Sequence, residues 1–433
     1  MKKANDSAAS AEMLSGATEF RASLRLLATR RFGTFWFASL LSSIGTWAQQ
    51  VAEPWLLLTM GASSFVIGLD SFASNAPVWL LTLAGGALAD RWDRRRVIAW
   101  FQSIQMLCPL AIVALLLAGA LEPWMVIVLS VVVGVTDALS MPSFQSIVPS
   151  IVERDQIGRG LALNSTQFSL SRILGPSIAG VLMASAGAVA CFVVSVVSYL
   201  PFIGVALWIL PRWKPPTAAR VPQHFRHTAA SMAETLREPH SGGGLLMVFS
   251  TGLLCSPLFT FSPVLVKDVF HGDASHFSMA AVAFGAGGIV GGLGLLGVAA
   301  NVDRRRISAG FAIGYGFILV LTALNPWGWG VVPLFVFAGI AMTVSSTAAN
   351  TLLQATANPL VLGQTVSLFM LAMRGGMSLG ALLTGVSVSL MGVRQALLVN
   401  GLMAILVQGA IAWKWLQATA PPVPAQAEIP ARR

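Results

Sequence analysis

The chain has 433 residues, 55% of them hydrophobic and only 10% charged, with a mean hydropathy of +0.75; this excludes a soluble globular domain and points to a membrane protein. The formal net charge of +10 would suit a nucleic-acid partner in a soluble chain, but in a membrane protein it is read first as orientation, and no nucleic acid is implied. No Walker lysine loop, nucleophile elbow or zinc-type spacing occurs, so an enzyme, a cofactor and a metal are not expected.

Residues 1–31 are polar and carry Lys2, Lys3, Arg21, Arg25, Arg30 and Arg31 without a cleavable apolar core, which predicts a cytoplasmic tail, with Phe20 to Leu27 lying along the membrane surface. Beyond them, apolar runs of about 20 residues recur, each able to cross roughly 30 Å of hydrocarbon as a helix and unlike the short alternating strands of a barrel. Twelve spans are expected: Phe32–Leu58, Ser63–Ala89, Val97–Leu121, Pro123–Ile147, Leu161–Ala186, Val189–Leu210, Leu245–Val266, Phe277–Ala300, Ile307–Leu324, Gly328–Leu353, Leu362–Leu390 and Val393–Leu416. Cys108, Cys191 and Cys255 each fall inside an apolar run and read as packing residues. His224, His227, His271 and His276 read as solvated loop histidines, because no cysteine or carboxylate constellation completes a metal site around them.

The loops alternate in charge. Arg91, Arg94, Arg95 and Arg96, then Arg154 and Arg159, then Arg212, Lys214, Arg220, Arg226 and Arg237, then Arg304, Arg305 and Arg306 share one side. The opposite loops hold little beyond Glu122, Lys267, Asp268, Asp273 and Arg394. The positive-inside rule then places both termini in the cytoplasm. The expected division is a tail at 1–31, six-helix bundles at 32–210 and 245–416, a cytoplasmic linker at 211–244 and a cytoplasmic tail at 417–433. The halves also echo each other, for Asp303-Arg304-Arg305-Arg306 repeats Asp93-Arg94-Arg95-Arg96, and Gly380 and Gly385 repeat the spacing of Gly175 and Gly180. The expected fold class is all-α and integral to the membrane, with twelve transmembrane helices in two pseudo-symmetric six-helix bundles. Such duplication marks transporters, because a site between two similar bundles opens to either side as one rocks against the other.

Gly86-Ala87-Leu88-Ala89-Asp90-Arg91-Trp92-Asp93-Arg94-Arg95 resembles the loop between helices two and three of the major facilitator superfamily, G-x-L-x-D-R-x-G-R-R, with Asp93 where Gly is usual. Gly45-Thr46-Trp47 in the first span and Ser171-Arg172-Ile173-Leu174-Gly175-Pro176-Ser177-Ile178-Ala179-Gly180 in the fifth resemble the branch of enterobactin-exporter-like drug and siderophore exporters. The resemblance covers nearly the whole chain. It implies a monomeric secondary transporter of a bacterial cytoplasmic membrane that exports a small amphipathic molecule against inward-flowing protons. It also implies a cytoplasmic latch of Gly86, Asp90, Arg91, Arg94 and Arg95 against the eleventh helix in the other half; plain topology determination is the alternative. Gly175, Pro176 and Gly180 match the exporters' glycine-proline motif, a bent and closely packed helix. The chain departs from its branch in span four, where Leu139-Ser140-Met141-Pro142-Ser143-Phe144-Gln145 stands in place of F-D-x-P-x-R-Q. Asp137, one turn before Ser140, can replace the missing acid.

Ionisable residues inside a membrane are costly and mark function by default. Glu53, Asp70 and Asp137 are the candidates for proton coupling, with Arg172, Arg374 and Lys267 as charge partners. Counted at 1.5 Å per residue, Asp70 lies about 10 Å below the outer end of its span and Arg374 about 20 Å above the inner end of its own, so the two are expected to pair at one depth. Asp137 and Arg172, on consecutive spans, form a second expected pair. Glu53 reads either as a carboxylate that closes an outer gate with Lys267 or as an acid wetted at the interface. For the cavity wall the candidates are Gln49, Gln50, Gln145, Phe259, Phe261, Asn350 and Gln354, from spans one, four, seven and ten. Two rival readings stay open: an importer of a nutrient or lipid with the same fold, and a sensor or scaffold that moves nothing.

Overall fold

The computed structural model describes residues 25–153, 156–211, 238–298, 302–356 and 362–417. Span one is Arg30–Thr59 and span two runs as two helices, Ser64–Asn75 and Pro77–Arg91. Spans three to six are Arg94–Leu117, Pro123–Ile151, Ile157–Ala186 and Ala188–Trp208. Span seven begins as Pro239–Leu254 and continues through two short pieces, Pro257–Thr260 and Ser262–Val264, into a π-helical turn, Leu265–Val269. Spans eight to twelve are Ala274–Leu296, Arg304–Leu324, Val331–Thr356, Leu362–Met391 and Val393–Gln417.

Among the described residues, ten helices are long and apolar enough to cross a membrane on those criteria alone. The two spans outside that set have identifiable causes. Span one carries Ser39, Ser42, Ser43, Thr46, Gln49, Gln50 and Glu53 along its length. Span two is interrupted at Pro77, which lacks an N–H and clashes with the preceding turn. Span seven differs from expectation at its start, because Pro239 opens the helix six residues inside the stretch assigned to the linker, in the first-turn position that suits proline. The rest of the linker at 212–237, together with residues 1–24 and 418–433, lies outside the described residues.

Within the first half, span one packs on five and six, three on four and six, and two on four; within the second, eight packs on ten, nine on ten and twelve, and seven on eleven and twelve. Two broad seams join the halves, span two with eleven and span five with eight. In a bilayer these faces gain nothing from leaving lipid, so close backbone approach must supply the attraction. Small residues permit it. A Cβ on Gly68 would meet the Ala381 carbonyl oxygen at 2.5 Å, one on Gly385 the Ser64 carbonyl oxygen at 2.9 Å, and one on Gly180 the Ser278 carbonyl oxygen at 2.7 Å. The two seams are related by the duplication, since span two answers to eight and five to eleven. They frame the space in which the charged residues meet.

Candidate functional site

A central cavity lies between the halves, with walls from spans one, two, five, seven, eight, ten and eleven. Trp47, Phe259 and Phe284 give it apolar surface, and Phe259 and Phe284 stack at a tilt with ring centroids 4.6 Å apart. Gln50, Asn75, Thr260 and Thr343 add scattered polar groups, and three charged residues line it: Glu53, Asp70 and Arg172. Such a wall suits an amphipathic ligand better than a flat apolar one.

Each of these charges rests on neutral groups. Glu53, 5% exposed, accepts a hydrogen bond from Gln49 Nε2 at 2.7 Å, and Gln49 Oε1 accepts in turn from Ser195 Oγ at 2.9 Å. Asp70, 3% exposed, accepts from Ser130 Oγ at 2.6 Å. Arg172 donates to Ser346 Oγ at 2.7 Å and to Met373 Sδ at 3.1 Å, both in the other half. None of the ion pairs among the described residues includes Glu53, Asp70 or Arg172.

The three pairings expected from the sequence are therefore replaced. Asp70 does not meet Arg374, whose Nη1 lies 2.7 Å from Asp137 Oδ2. Spans two and eleven run antiparallel, with Gly68 opposite Ala381 and Ser378 Oγ donating to the Phe72 carbonyl at 3.4 Å. That register sets Arg374 roughly six residues, about 9 Å, away from Asp70 along the helix axis. Asp137 does not meet Arg172 either, because spans four and five touch only lightly although the chain joins them directly. Lys267 is exposed on the π-helical turn and donates to the Leu58 carbonyl at 3.3 Å instead of reaching Glu53. Glu53 is also not an interfacial acid, for the helix runs on to Thr59 and buries it.

Of the cavity candidates, Gln50 and Phe259 line the central cavity. Asn350 and Gln354 line a second, smaller cavity, which shares Arg172 with the central one and extends past Ser346 along span ten. Gln49 stands behind the wall as the partner of Glu53. Phe261 is fully buried in the core beside Leu258 and Leu265, and Gln145 lines neither cavity. Pro176 lines the central cavity, Gly175 packs against the Trp47 side chain and Gly180 against span eight. Sequence reasoning missed Ser346, the partner of Arg172. Its signal was the duplication, for Ser346 lies in span ten about as far from the helix start as Asp137 does in span four.

The arginine-rich loops are built alike in the two halves. Asp93 caps span three by accepting from the Arg95 amide and binds Arg95 Nε at 3.1 Å, while Arg95 Nη1 donates to the Leu207 carbonyl at the end of span six at 2.9 Å. Asp303 caps span nine by accepting from the Arg305 amide and binds Arg305 Nη2 at 2.9 Å, while Arg305 Nη1 donates to the Trp415 carbonyl at the end of span twelve at 3.3 Å. Burial pushes the Asp303 carboxyl up, but the hydrogen bonds and charge of Arg305, with Arg306 beside it, outweigh burial and hold it below its ordinary value. Arg94 Nη1 donates to the Ser146 carbonyl in its own half at 2.9 Å. These contacts of Arg94 and Arg95 lie within the first half. The surroundings of Gly86 and the side chains of Asp90 and Arg91 lie outside the described residues.

The sequence profile of transmembrane secretion effectors matches residues 22–431. The chain is 23% identical over 380 residues to the staphyloferrin A transporter of Staphylococcus aureus, covering 86% of this chain and 93% of that protein. It is 24% identical over 386 residues to macrolide efflux protein A of Streptococcus pyogenes, covering 87% and 94%. It is also 24% identical over 371 residues to the enterobactin exporter EntS of Citrobacter koseri, covering 84% and 86%. Among solved structures, the nucleoside transporter NupG aligns with a TM-score of 0.68 at 13% identity over 89% of this chain and 99% of its own. A POT family transporter in complex with 5-aminolevulinic acid aligns with a TM-score of 0.69 at 13% identity over 90% and 97%. These last two likenesses are of fold alone.

Proposed function

The chain belongs to the transmembrane secretion effector family of the major facilitator superfamily, and from that premise we propose that it exports a small amphipathic molecule in exchange for protons. The observation that carries the exchange is the position of Glu53 and Asp70, two carboxylates in the wall of the central cavity with neutral donors as their partners. Carboxylates so placed take a proton or a cationic group from whichever side the cavity faces, and their charge biases the rocking equilibrium. Asp137 and Arg374 join the two halves and act as a gate, closed in one state and parted in the other. The export direction is supported by the names of the macrolide and enterobactin relatives. The arginine-rich loops on one side support an orientation with both termini in the cytoplasm, and we take the chain to be a monomer in a bacterial membrane.

Purified protein in liposomes carrying an amphipathic fluorescent dye tests this under an imposed pH gradient. Dye is expected to move against the proton flow. Asp70→Asn or Glu53→Gln, made separately, is expected to lower the gradient-dependent part of that flux by about tenfold, a loss of about 1.4 kcal/mol of coupling. Movement of dye with the protons overturns export, and unchanged coupling in both variants removes the two carboxylates from the mechanism.

A further inference from the structure

Arg172 and Arg374 make the same crossing. Arg374 leaves span eleven and ends on Asp137 in span four of the other half at 2.7 Å. Arg172 leaves span five and ends on Ser346 in span ten of the other half, also at 2.7 Å. The duplication exchanges span five with eleven and span four with ten, so the two arginines lie on repeated spans, about one helical turn apart in register, and one of them meets an acid where the other meets a hydroxyl. The second contact of Arg172 is a thioether, Met373 Sδ, a weak acceptor. A guanidinium carries five N–H donors in a flat fork, and these neutral partners use two of them. The group faces both the central cavity and the smaller cavity that extends past Asn350 and Gln354.

We infer that Arg172 binds an anionic group of the transported molecule, with a carboxylate as the shape that matches the fork, so that the cargo supplies the acid that Ser346 does not. The inference rests on the transport reading above and narrows its substrate. A charge in a wall of low dielectric is costly without an opposite charge, and a bidentate carboxylate is the strongest partner available to a guanidinium. Glu53 and Asp70 line the same cavity and favour a cationic group. The substrate class that answers all three charges is an amphipathic ampholyte, carrying an amine and a carboxylate on an apolar body. A lipophilic cation leaves Arg172 unanswered, and a plain fatty anion faces two carboxylates.

Three probes that share one fluorescent body separate these classes: dansylcadaverine with an amine, dansyl-aminohexanoate with a carboxylate, and Nε-dansyl-lysine with both. With the full chain in liposomes, Nε-dansyl-lysine is expected to bind tightest. Arg172→Gln is expected to weaken Nε-dansyl-lysine and dansyl-aminohexanoate by about tenfold, the loss of one charge-assisted contact, while dansylcadaverine changes less than about twofold. Arg172→Lys keeps the charge and is expected to recover part of the loss, and it carries the test if Arg172→Gln does not fold. Equal weakening of all three probes marks a structural arginine and overturns the inference, as does a wild-type preference for dansylcadaverine. Binding of none of the three also overturns it, while export is judged separately by the dye and the pH gradient.

Discussion

The two arginines that cross between the halves differ from the two that stay within them. Arg95 and Arg305 occupy repeated positions and do the same thing twice: each binds the aspartate that caps its helix and reaches the carbonyl end of the last span of its own half. Arg172 and Arg374 lie on repeated spans, about one helical turn apart in register, and they end on unlike groups, Ser346 and Asp137. A contact that survives duplication unchanged serves what both halves need, which is a braced bundle. A contact that diverges serves something the molecule needs once. A gate and a substrate contact are such needs, and two identical ion pairs would leave neither arginine to the cargo.

The largest expected effect comes from erasing that divergence. Ser346→Asp gives Arg172 an acid in the protein, so the internal carboxylate competes with the cargo. Flux of Nε-dansyl-lysine is expected to fall by about tenfold or more, with thermal stability kept or raised, since a hydrogen-bonded ion pair replaces a lone buried charge. Full flux in a folded Ser346→Asp protein would show that the two arginines differ without consequence. A smaller effect is expected from the opposite change. Asp137→Asn leaves Arg374 facing an amide, and because the pair is half-buried the shift toward the parted state should be about 1–2 kcal/mol after solvent screening. Spin-label distances across spans four and eleven measure it, and exchanging the charges with Asp137→Arg and Arg374→Asp should restore the wild-type distribution. Persistence of the wild-type distances in Asp137→Asn would remove the pair from the gate.

Helix identity and order were legible because apolar run length and loop charge are both properties of one dimension. The transporter fold was legible for the same reason, as was the place of Glu53, Asp70, Asp137, Arg172 and Arg374 within helices. What the sequence did not disclose was rotation about each helix axis. Asp70 and Arg374 look matched when depth alone is counted, but the Gly68 and Gly385 seam fixes a register that separates them, and Asp70 turns to Ser130. Asp137 and Arg172 look adjacent because their spans are consecutive, whereas each points across the interface. Pro77 was visible as a residue, but its interruption of span two depends on where the first turn of the second helix begins. Ser346 carries no chemical signal by itself; only its match to the position of Asp137 in the repeat distinguishes it from the other hydroxyls of span ten.

The smallest expected effect lies in the braced loops, where repetition should make the two halves respond alike and independently. Asp93→Asn and Asp303→Asn each weaken an N-cap and an arginine contact, at a cost of about 1 kcal/mol or less for such solvent-touched groups, and the double variant should lose the sum because the sites lie in different halves. The second copy also has a pH signature. Since Arg305 and Arg306 hold Asp303 below its ordinary value, its contribution is fully present above the unfolded carboxyl pKa near 3.9 and is lost as pH falls through the lower folded value. The melting difference between wild type and Asp303→Asn should therefore stay level from about pH 5 to 8 and close only below about pH 4. A difference that closed between pH 5 and 7 would mean that the carboxylate is not held by its arginines, and the likeness between the two loops would then be one of sequence without a shared bracing role.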